Sequence, residues 1–387
     1  MSTTRTPGPL TPGKYDRRAE IARLEADWTE NPRWHGVIRA YSAEDAVRLR
    51  GSIKRDNTIA KLGAEKLRDL LANARLNCVN AYRAINGGQA VQRVNAGAQA
   101  IYLSGGQTAA DQTTAETIHP DQSLYAINSI PSLVRRINNA FERADQIQWK
   151  AGATPSDTGF IDYFAPIVAD AEAYNGGALN AYELMKNMIR AGAAGVHFDD
   201  QLDSVKQRKH MGTALTNTTV LTNKVLMPTR EMVQKLSAAR LAADVEDVPT
   251  LIIAHTTANA TDLLSSDCDP YDQPFINSER TEEGFYGVRA GIDQAIARGL
   301  AYAPYADLLW LESAQPDLEE ARQFAAAIRR EYPDHLLAYN CASLGNLDTA
   351  EIEQCQRELS ALGYRFQVVA QAEAQNFLRD ARENMAA

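Results

Sequence analysis

From about residue 76 onward, short apolar runs alternate with amphipathic segments. Apolar runs of this length are typical of buried parallel strands. Eight runs fit: Val79–Ala84, Ala100–Leu103, Ala165–Ala169, Ala194–Phe198, Thr250–Ala254, Asp307–Leu311, Leu336–Tyr339 and Phe366–Val369. Helical spacing between most of them predicts helices at Ser129–Asp145, Glu231–Ala243, Gly284–Tyr302, Leu318–Glu331 and Thr349–Leu362. Strands that alternate with helices in this way predict an α/β fold, a (β/α)8 barrel of the TIM type.

The chain before the barrel has a different pattern. Residues 1–15 are rich in Thr, Pro and Gly, and we expect a disordered tail there. Residues 16–75 have apolar positions at helical spacing, and Ser42 begins a capping-box pattern within them. We therefore expect an N-terminal helical portion at 16–75, packed on a barrel domain at 76–387.

Composition narrows the classes of function. The net charge of −9 disfavours binding to nucleic acid or to an anionic membrane surface. The four cysteines have no CxxC spacing, which argues against a zinc site or a disulfide framework and fits a reducing compartment. No apolar run is long enough for a membrane span, and no secretory signal is apparent. We expect a cytoplasmic protein.

Two neighbouring predicted strands each end in acidic residues. Asp170 and Glu172 follow the first strand, and Asp199 and Asp200 follow the second. Because the carboxyl ends of parallel strands meet at one rim, these carboxylates are expected to lie together. Carboxylate oxygens suit a hard cation such as Mg2+. Taken singly, each could instead be an ordinary solvated acid at a strand end.

Several motifs together carry a family resemblance. They are SGGQ after IYL, HPDQSLYAINSIPSLVRRINNA, APIVADAEA, AGAAGVHFDDQL, ARLAADV, RGLAYAPYADLLWLE and LLAYNC. In this order, from about Trp28 to Gln367, the chain resembles the isocitrate lyase family, which is grouped with phosphoenolpyruvate mutase. The resemblance implies a (β/α)8 barrel with helices exchanged between subunits, a Mg2+ (or Mn2+) ion, and retro-aldol cleavage of a 2-hydroxy tricarboxylate. It also implies a homo-oligomer, a tetramer or a dimer.

The resemblance assigns roles residue by residue. The metal-binding acids of the family match Asp121, Asp170, Glu172 and Asp199. Asp170 is expected to bind the metal directly and the others through water, since Mg2+ keeps several waters. His197 matches the histidine that precedes the second acidic pair, and Glu312 matches a glutamate of the site. Both are predicted catalytic residues.

The catalytic loop departs from the family. The family signature Lys-Lys-Cys-Gly-His is here Lys206-Gln207-Arg208-Lys209-His210, so Arg208 replaces the cysteine that protonates the product carbanion in the family. An arginine stays protonated near neutrality and is a poor proton donor. Lys206, Arg208 and His210 are kept as catalytic candidates, although each could be a solvated loop residue. Roughly ten extra residues lie in this loop.

The substrate-binding positions also differ. The family's Ser-Gly-Trp loop is Ser104-Gly105-Gly106, and its Ala-Arg-Thr-Asp strand end has His255 where the arginine stands. An imidazole is no equivalent of an arginine fork for a carboxylate. The Asn-Cys-Ser-Pro-Ser loop reads Asn340-Cys341-Ala342-Ser343-Leu344, without both hydroxyls at their positions. Asn340 and Ser343 remain substrate-binding candidates. The family's C-terminal helices are largely missing, so a truncated C-terminus is expected.

Three functions fit these patterns. The first is a metal-dependent lyase that acts on a small 2-hydroxy or 2-oxo carboxylic acid other than isocitrate. The second is a catalytically inactive homologue that serves as a binding or partner subunit. The third is a genuine isocitrate or methylisocitrate lyase in which Lys209 or His210 acts as the proton donor in place of the family's cysteine. The retained acidic residues favour an enzyme, because drift would have eroded them together with the loops.

Overall fold

The computed structural model describes residues 16–73, 78–112, 114, 125–171, 176–202, 224–313, 317–341 and 348–369. Within them the strands, numbered in chain order, are β1 (Val79–Arg83), β2 (Ala100–Leu103), β3 (Ile167–Asp170), β4 (Gly195–Asp199), β5 (Val225–Leu226), β6 (Leu251–Thr256), β7 (Leu263–Leu264), β8 (Ile276–Arg280), β9 (Tyr286–Val288), β10 (Leu308–Leu311), β11 (Leu336–Asn340) and β12 (Tyr364–Val368). The α-helices are Arg17–Glu30, Ala43–Leu49, Thr58–Ala72, Gly87–Asn95, Gly105–Asp111, Ser129–Lys150, Ala178–Ala191, Thr229–Glu246, Ile292–Tyr302, Leu318–Glu331 and Thr349–Ala361.

Eight parallel strands close into a barrel in the order β1-β12-β11-β10-β6-β4-β3-β2. Each of the eight predicted strands is present, and the fold class predicted from the sequence is confirmed. Helices alternate with the strands and cover the outside of the barrel, and three further helices lie before β1. No helix in the described part of the chain combines the length and apolar character that a membrane span needs.

Strand alternation sorts the apolar residues into two layers. Val168, Ile253, Trp310 and Phe366 belong to a buried cluster inside the barrel. Their chain neighbours, such as Leu309, belong to the larger cluster between the strands and the surrounding helices. Successive side chains of a strand point to opposite faces, so strands that are buried on both faces read as continuous apolar runs.

A second, smaller sheet lies in the segments that follow β4 and β6. Its order is β5-β7-β9-β8, with β5 and β7 parallel and β9 antiparallel to both of its neighbours. The sequence had predicted one helix over Gly284–Tyr302, and that prediction is wrong in its first part. Tyr286–Val288 forms β9, and the helix begins only at Ile292.

Buried ion pairs close the N-terminal end of the barrel. Arg240 is fully buried, and its Nη2 lies 2.5 Å from Oδ2 of Asp307, the residue before β10. The same oxygen accepts a 2.8 Å hydrogen bond from the backbone N–H of Ile252. Burial alone would raise the pKa of Asp307, but Arg240 and Arg33 hold it below its ordinary value. The carboxylate is therefore fixed in its charged form.

His335 lies at the same end of the barrel, in the short connection between the helix Leu318–Glu331 and β11. Its Nε2 is buried and has no hydrogen-bond partner among the described residues. Burial lowers the pKa of His335 to about 4, although Asp307 acts in the opposite direction. His335 is therefore neutral at physiological pH.

Candidate active site at the carboxyl ends of the strands

The central feature of the barrel mouth is a pair of histidines on neighbouring strands. His197 Nε2 lies 2.8 Å from His255 Nδ1, and the two residues are only 4% and 8% exposed. His255 is in register with Asp199, two residues beyond His197 on the same inward face of β4, so the two rings meet diagonally across the neighbouring strands. One imidazole donates this hydrogen bond and the other accepts it.

Carboxylates flank the pair on both sides. His197 Nδ1 is 3.3 Å from Asp170 Oδ1, and His255 Nε2 is 3.5 Å from Glu312 Oε2. Each contact becomes an ion pair only when its imidazole is protonated. The four groups therefore lie in one line across the mouth, from β3 to the end of β10, with a hydrogen bond between the two histidines.

Asp170 is the acidic residue of the rim that contacts His197. It is the last residue of β3 and is 4% exposed. Its Oδ2 accepts a 3.1 Å hydrogen bond from the backbone N–H of Gly105 and lies 3.4 Å from the hydroxyl of Tyr102. Gly105 is the first residue of the helix Gly105–Asp111, and Ser104 is its N-cap. The helix N-terminus thus faces a carboxylate, the charge it favours.

Aromatic rings support the histidines from inside the barrel. The ring centroid of Trp310 lies 4.9 Å from that of His197 and 5.3 Å from that of His255. The ring of Tyr102 packs on Trp310 at 5.7 Å. Because Trp310 is 2% exposed, these rings fix the planes of the imidazoles from below.

Glu312 lies at the more open side of the mouth. Its Oε2 accepts a 2.9 Å hydrogen bond from Lys224 Nζ, and both side chains are 35% exposed. The backbone N–H of Glu312 donates to the carbonyl of Thr256, which fixes the residue at the end of β10 beside β6. Asn340 ends β11 and is half-buried.

Asp200 does not belong with the metal-binding acids as the sequence had grouped it. The side chain is fully buried and accepts hydrogen bonds from Thr256, Thr257 and Tyr302, while Arg298 Nη1 lies 3.2 Å away. Burial alone would lower the pKa of Arg298, but Tyr302, Asp200 and Asp272 together raise it above its ordinary value. Asp200 is therefore the buried counter-charge of Arg298.

Six of the predicted site residues lie outside the described residues. They are Asp121, Glu172, Lys206, Arg208, His210 and Ser343. Those that the structure brings together at one rim are Ser104, Gly105, Gly106, Asp170, His197, Asp199, His255, Glu312 and Asn340.

One residue of the rim was missed by sequence reasoning. Arg83 is the last residue of β1 and lies on the inward face, in register with Tyr102 of β2. From sequence alone, an arginine next to the end of a predicted strand is interpreted as a solvated charge. Only its parity with the buried Val79 and Ala81 could have placed it in the mouth.

The donor set can be tested against Mg2+. The described residues contain no group of three or more His, Cys, Asp or Glu side chains arranged to hold a metal ion. Mg2+ does not require one, because it binds through one or two carboxylates and keeps several waters. Asp170 at the end of β3 and the half-buried Asp199 at the end of β4 offer such oxygens on adjacent strands. In donor chemistry the residues fit this ion.

A closed parallel barrel with acids, histidines and a glutamate at the carboxyl ends of its strands defines the class of α/β-barrel proteins with a mouth-located site. The Isocitrate lyase family model matches residues 20–282 and 276–378. The chain belongs to the isocitrate lyase family.

Sequence similarity to individual isocitrate lyases supports the same assignment. The chain is 56% identical over 361 residues to an isocitrate lyase of Escherichia coli K12, covering 92% of this chain and 81% of that protein. It is 51% identical over 354 residues to an isocitrate lyase of Mycobacterium tuberculosis H37Rv, covering 90% of this chain and 79% of that one.

Solved structures with lower sequence identity share the fold. An oxaloacetate acetylhydrolase in complex with 3,3-difluorooxalacetate is similar with a TM-score of 0.54 at 20% identity, covering 84% of this chain and 85% of that one. A 2,3-dimethylmalate lyase, a member of the PEP mutase/isocitrate lyase superfamily, has a TM-score of 0.53 at 21% identity, covering 84% and 83%. At this identity the similarity concerns the architecture alone.

Proposed function

We propose that the protein is a Mg2+-dependent lyase that cleaves a carbon–carbon bond of a 2-hydroxy carboxylic acid other than isocitrate. The proposed reaction is a retro-aldol cleavage. A base removes the proton of the hydroxyl, the carbon–carbon bond breaks, a carbonyl forms, and the carbon that keeps the electron pair takes up a proton. The family and its named relatives support the reaction class, and the state of His255 supports the altered substrate.

His255 is the observation that carries the proposal. Its Nδ1 is engaged by His197 and its Nε2 faces Glu312, so both ring nitrogens are directed at protein groups. A substrate carboxylate at this strand end would meet an imidazole beside a carboxylate instead of an arginine fork. Burying an unpaired carboxylate there costs several kcal/mol, of order 10²–10⁴-fold in binding. A substrate without a carboxylate at this position avoids that penalty.

The ion would be held by Asp170, with Asp199, Asp121 and Glu172 as water-mediated partners. When bound, Mg2+ stabilises negative charge that develops on the oxygens of a 2-hydroxy or 2-oxo acid. The protein's own residues orient this arrangement. Gly105 and His197 contact the two oxygens of Asp170 and fix the plane of its carboxylate.

The histidine pair is the group of the described mouth that can accept and return a proton. The 2.8 Å hydrogen bond lets a proton taken up by one ring be shared with the other. Glu312 and Asp170 stabilise the positive charge that this creates, because each lies within ion-pair distance of one ring. The pair supplies the base of the proposed reaction, with Arg208 unsuited to serve as the acid.

A substrate panel tests the proposal. The protein with MgCl2 is incubated with isocitrate and with other aldol products of glyoxylate or pyruvate and simple carboxylic acids, and cleavage is followed by 1H NMR. We expect turnover of a 2-hydroxy acid other than isocitrate, and at least a 100-fold lower rate for the Asp170→Asn variant. Isocitrate cleavage as the best reaction would contradict the altered substrate. Mg2+ binding without turnover of any acid would favour a binding subunit instead.

A further inference from the structure

Arg83 occupies a place in the barrel mouth that the proposed mechanism does not use. Val79 and Ala81 of the same strand pack into the cluster that fills the barrel interior. Strand alternation puts Arg83 on that same face, one layer closer to the mouth. Its register partner on the adjacent strand is Tyr102, whose hydroxyl lies 3.4 Å from Asp170 Oδ2. The guanidinium therefore enters the mouth on the β1–β2 side of the predicted metal ligand.

The arginine is sheltered and has no counter-charge among the described residues. Its Nε is buried without a hydrogen-bond partner, and none of the ion pairs among the described residues includes Arg83. The contrast with Arg298 is informative, since that buried arginine contacts Asp200 at 3.2 Å and Asp272 at 2.8 Å. A buried cation without a partner destabilises the folded protein. A site that contains such a cation is therefore suited to bind an anionic ligand.

We propose that Arg83 binds a carboxylate of the substrate, and that the carboxylate-binding position of this mouth lies on β1. This inference rests on the proposed function, because it names the group that orients the acid. At β6 the ring nitrogens of His255 are directed at His197 and Glu312, whereas Arg83 on the inward face of β1 carries a planar fork of N–H donors. The substrate thus presents its carboxylate to the β1–β2 side, next to the Asp170 oxygens that would hold the metal.

Ligand binding by the full-length protein tests the assignment. Succinate and pyruvate serve as probes, each titrated calorimetrically in the presence of MgCl2. The variants are Arg83→Gln, Arg83→Lys and the control Arg135→Gln, which removes an exposed arginine from the outer helix Ser129–Lys150. We expect Arg83→Gln to weaken binding about 10- to 100-fold, as loss of a charge-assisted contact does. Arg83→Lys should recover part of the affinity, and Arg135→Gln should bind like the wild type.

Thermal unfolding without ligand separates a binding role from a structural one. Removal of an unpaired, sheltered cation should leave the melting temperature of Arg83→Gln unchanged or higher. The added stabilisation by the probe acid should fall relative to the wild type.

The outcomes distinguish this inference from the proposed function. If the wild type binds a probe and Arg83→Gln binds it equally well, Arg83 is not the carboxylate-binding residue, and the lyase proposal stands. A lower melting temperature of Arg83→Gln without ligand, with unchanged affinity, also overturns the inference. If Arg83→Gln loses affinity but the wild type cleaves no 2-hydroxy acid, the inference stands and the lyase proposal falls. No binding of either probe by the wild type contradicts both.

Discussion

At the N-terminal end of the barrel, Asp307 is 2.5 Å from Arg240 and accepts a hydrogen bond from Ile252, so its charge is matched at close range. At the C-terminal end, the flanking contacts of the histidine pair are 3.3 and 3.5 Å, and Arg83 has no partner among the described residues. The carboxylate before β10 is thus closely paired, whereas the histidine pair and Arg83 in the mouth are loosely paired. Closely paired buried charges fix a structure, whereas incompletely paired ones are left for a ligand.

Removing the counter-charge at the N-terminal end should have the largest effect on stability. Asp307→Asn leaves Arg240 buried without its anion, and loss of one partner of a buried pair costs about 3–5 kcal/mol. Urea unfolding at pH 7 measures this loss. The control is Glu319→Gln, which breaks a pair with Arg322 whose side chains are 61% and 53% exposed. It should stay within about 0.5 kcal/mol of the wild type. Equal losses in the two variants would refute the contrast between buried and exposed pairs.

The pH dependence of stability tests the same end of the barrel. The pKa of His335 falls from 6.5 to about 4 on folding because the ring is buried. Between these values the unfolded chain binds a proton that the folded chain does not, so stability is lost as pH falls from about 6.5 towards 4. His335 accounts for roughly 2–3 kcal/mol of that loss.

His335→Asn should remove this part of the pH dependence. At pH 8 His335 is neutral in both the folded and the unfolded state, so the difference in unfolding free energy between wild type and variant reports packing alone. The change in this difference between pH 8 and pH 4 reports the protonation of His335. A difference that stays constant over this range would show that His335 is not held neutral by burial.

The smallest effect is expected at the mouth. Lys224→Met breaks the 2.9 Å pair with Glu312, in which both side chains are 35% exposed. A pair with this exposure contributes less than about 1 kcal/mol to stability. A double-mutant cycle with Glu312→Gln isolates the pairwise contribution. A coupling as large as the loss in Asp307→Asn would mean that the two ends of the barrel do not differ.

The barrel was predictable because its strands are buried on both faces. Each of the eight strands contains a short apolar run that can be recognised from the sequence alone. The second sheet was not found, since β5 and β7 have only two residues each and no periodicity can be read from two positions. The helix predicted over Gly284–Tyr302 began too early. The apolar spacing of its first residues, which include β9, does not distinguish a short strand from the start of a helix.

The site was predictable only as far as it follows from chain order. Asp170 and His197 lie at strand ends, where neighbouring parallel strands bring them to one rim. Asp199 is the last residue of β4 and Asp200 follows it directly. The side chain of Asp200, however, forms an ion pair with Arg298, which lies on a helix far along the chain. The contact of His197 with His255 and the inward position of Arg83 depend on strand register, which the sequence does not reveal without the structure.

The segment 203–223, which carries Lys206, Arg208 and His210, leaves and returns at a single point of the rim. Leu202 donates a 2.7 Å hydrogen bond to the carbonyl of Val225, and Gln201 forms a bridge with Leu226. With the ends fixed together, added length changes only the closure entropy of the loop, which grows with the logarithm of its length. Doubling such a loop costs about 0.6 kcal/mol. Residues can therefore be added or exchanged between Leu202 and Lys224 at almost no expense to the barrel strands that fix these two ends.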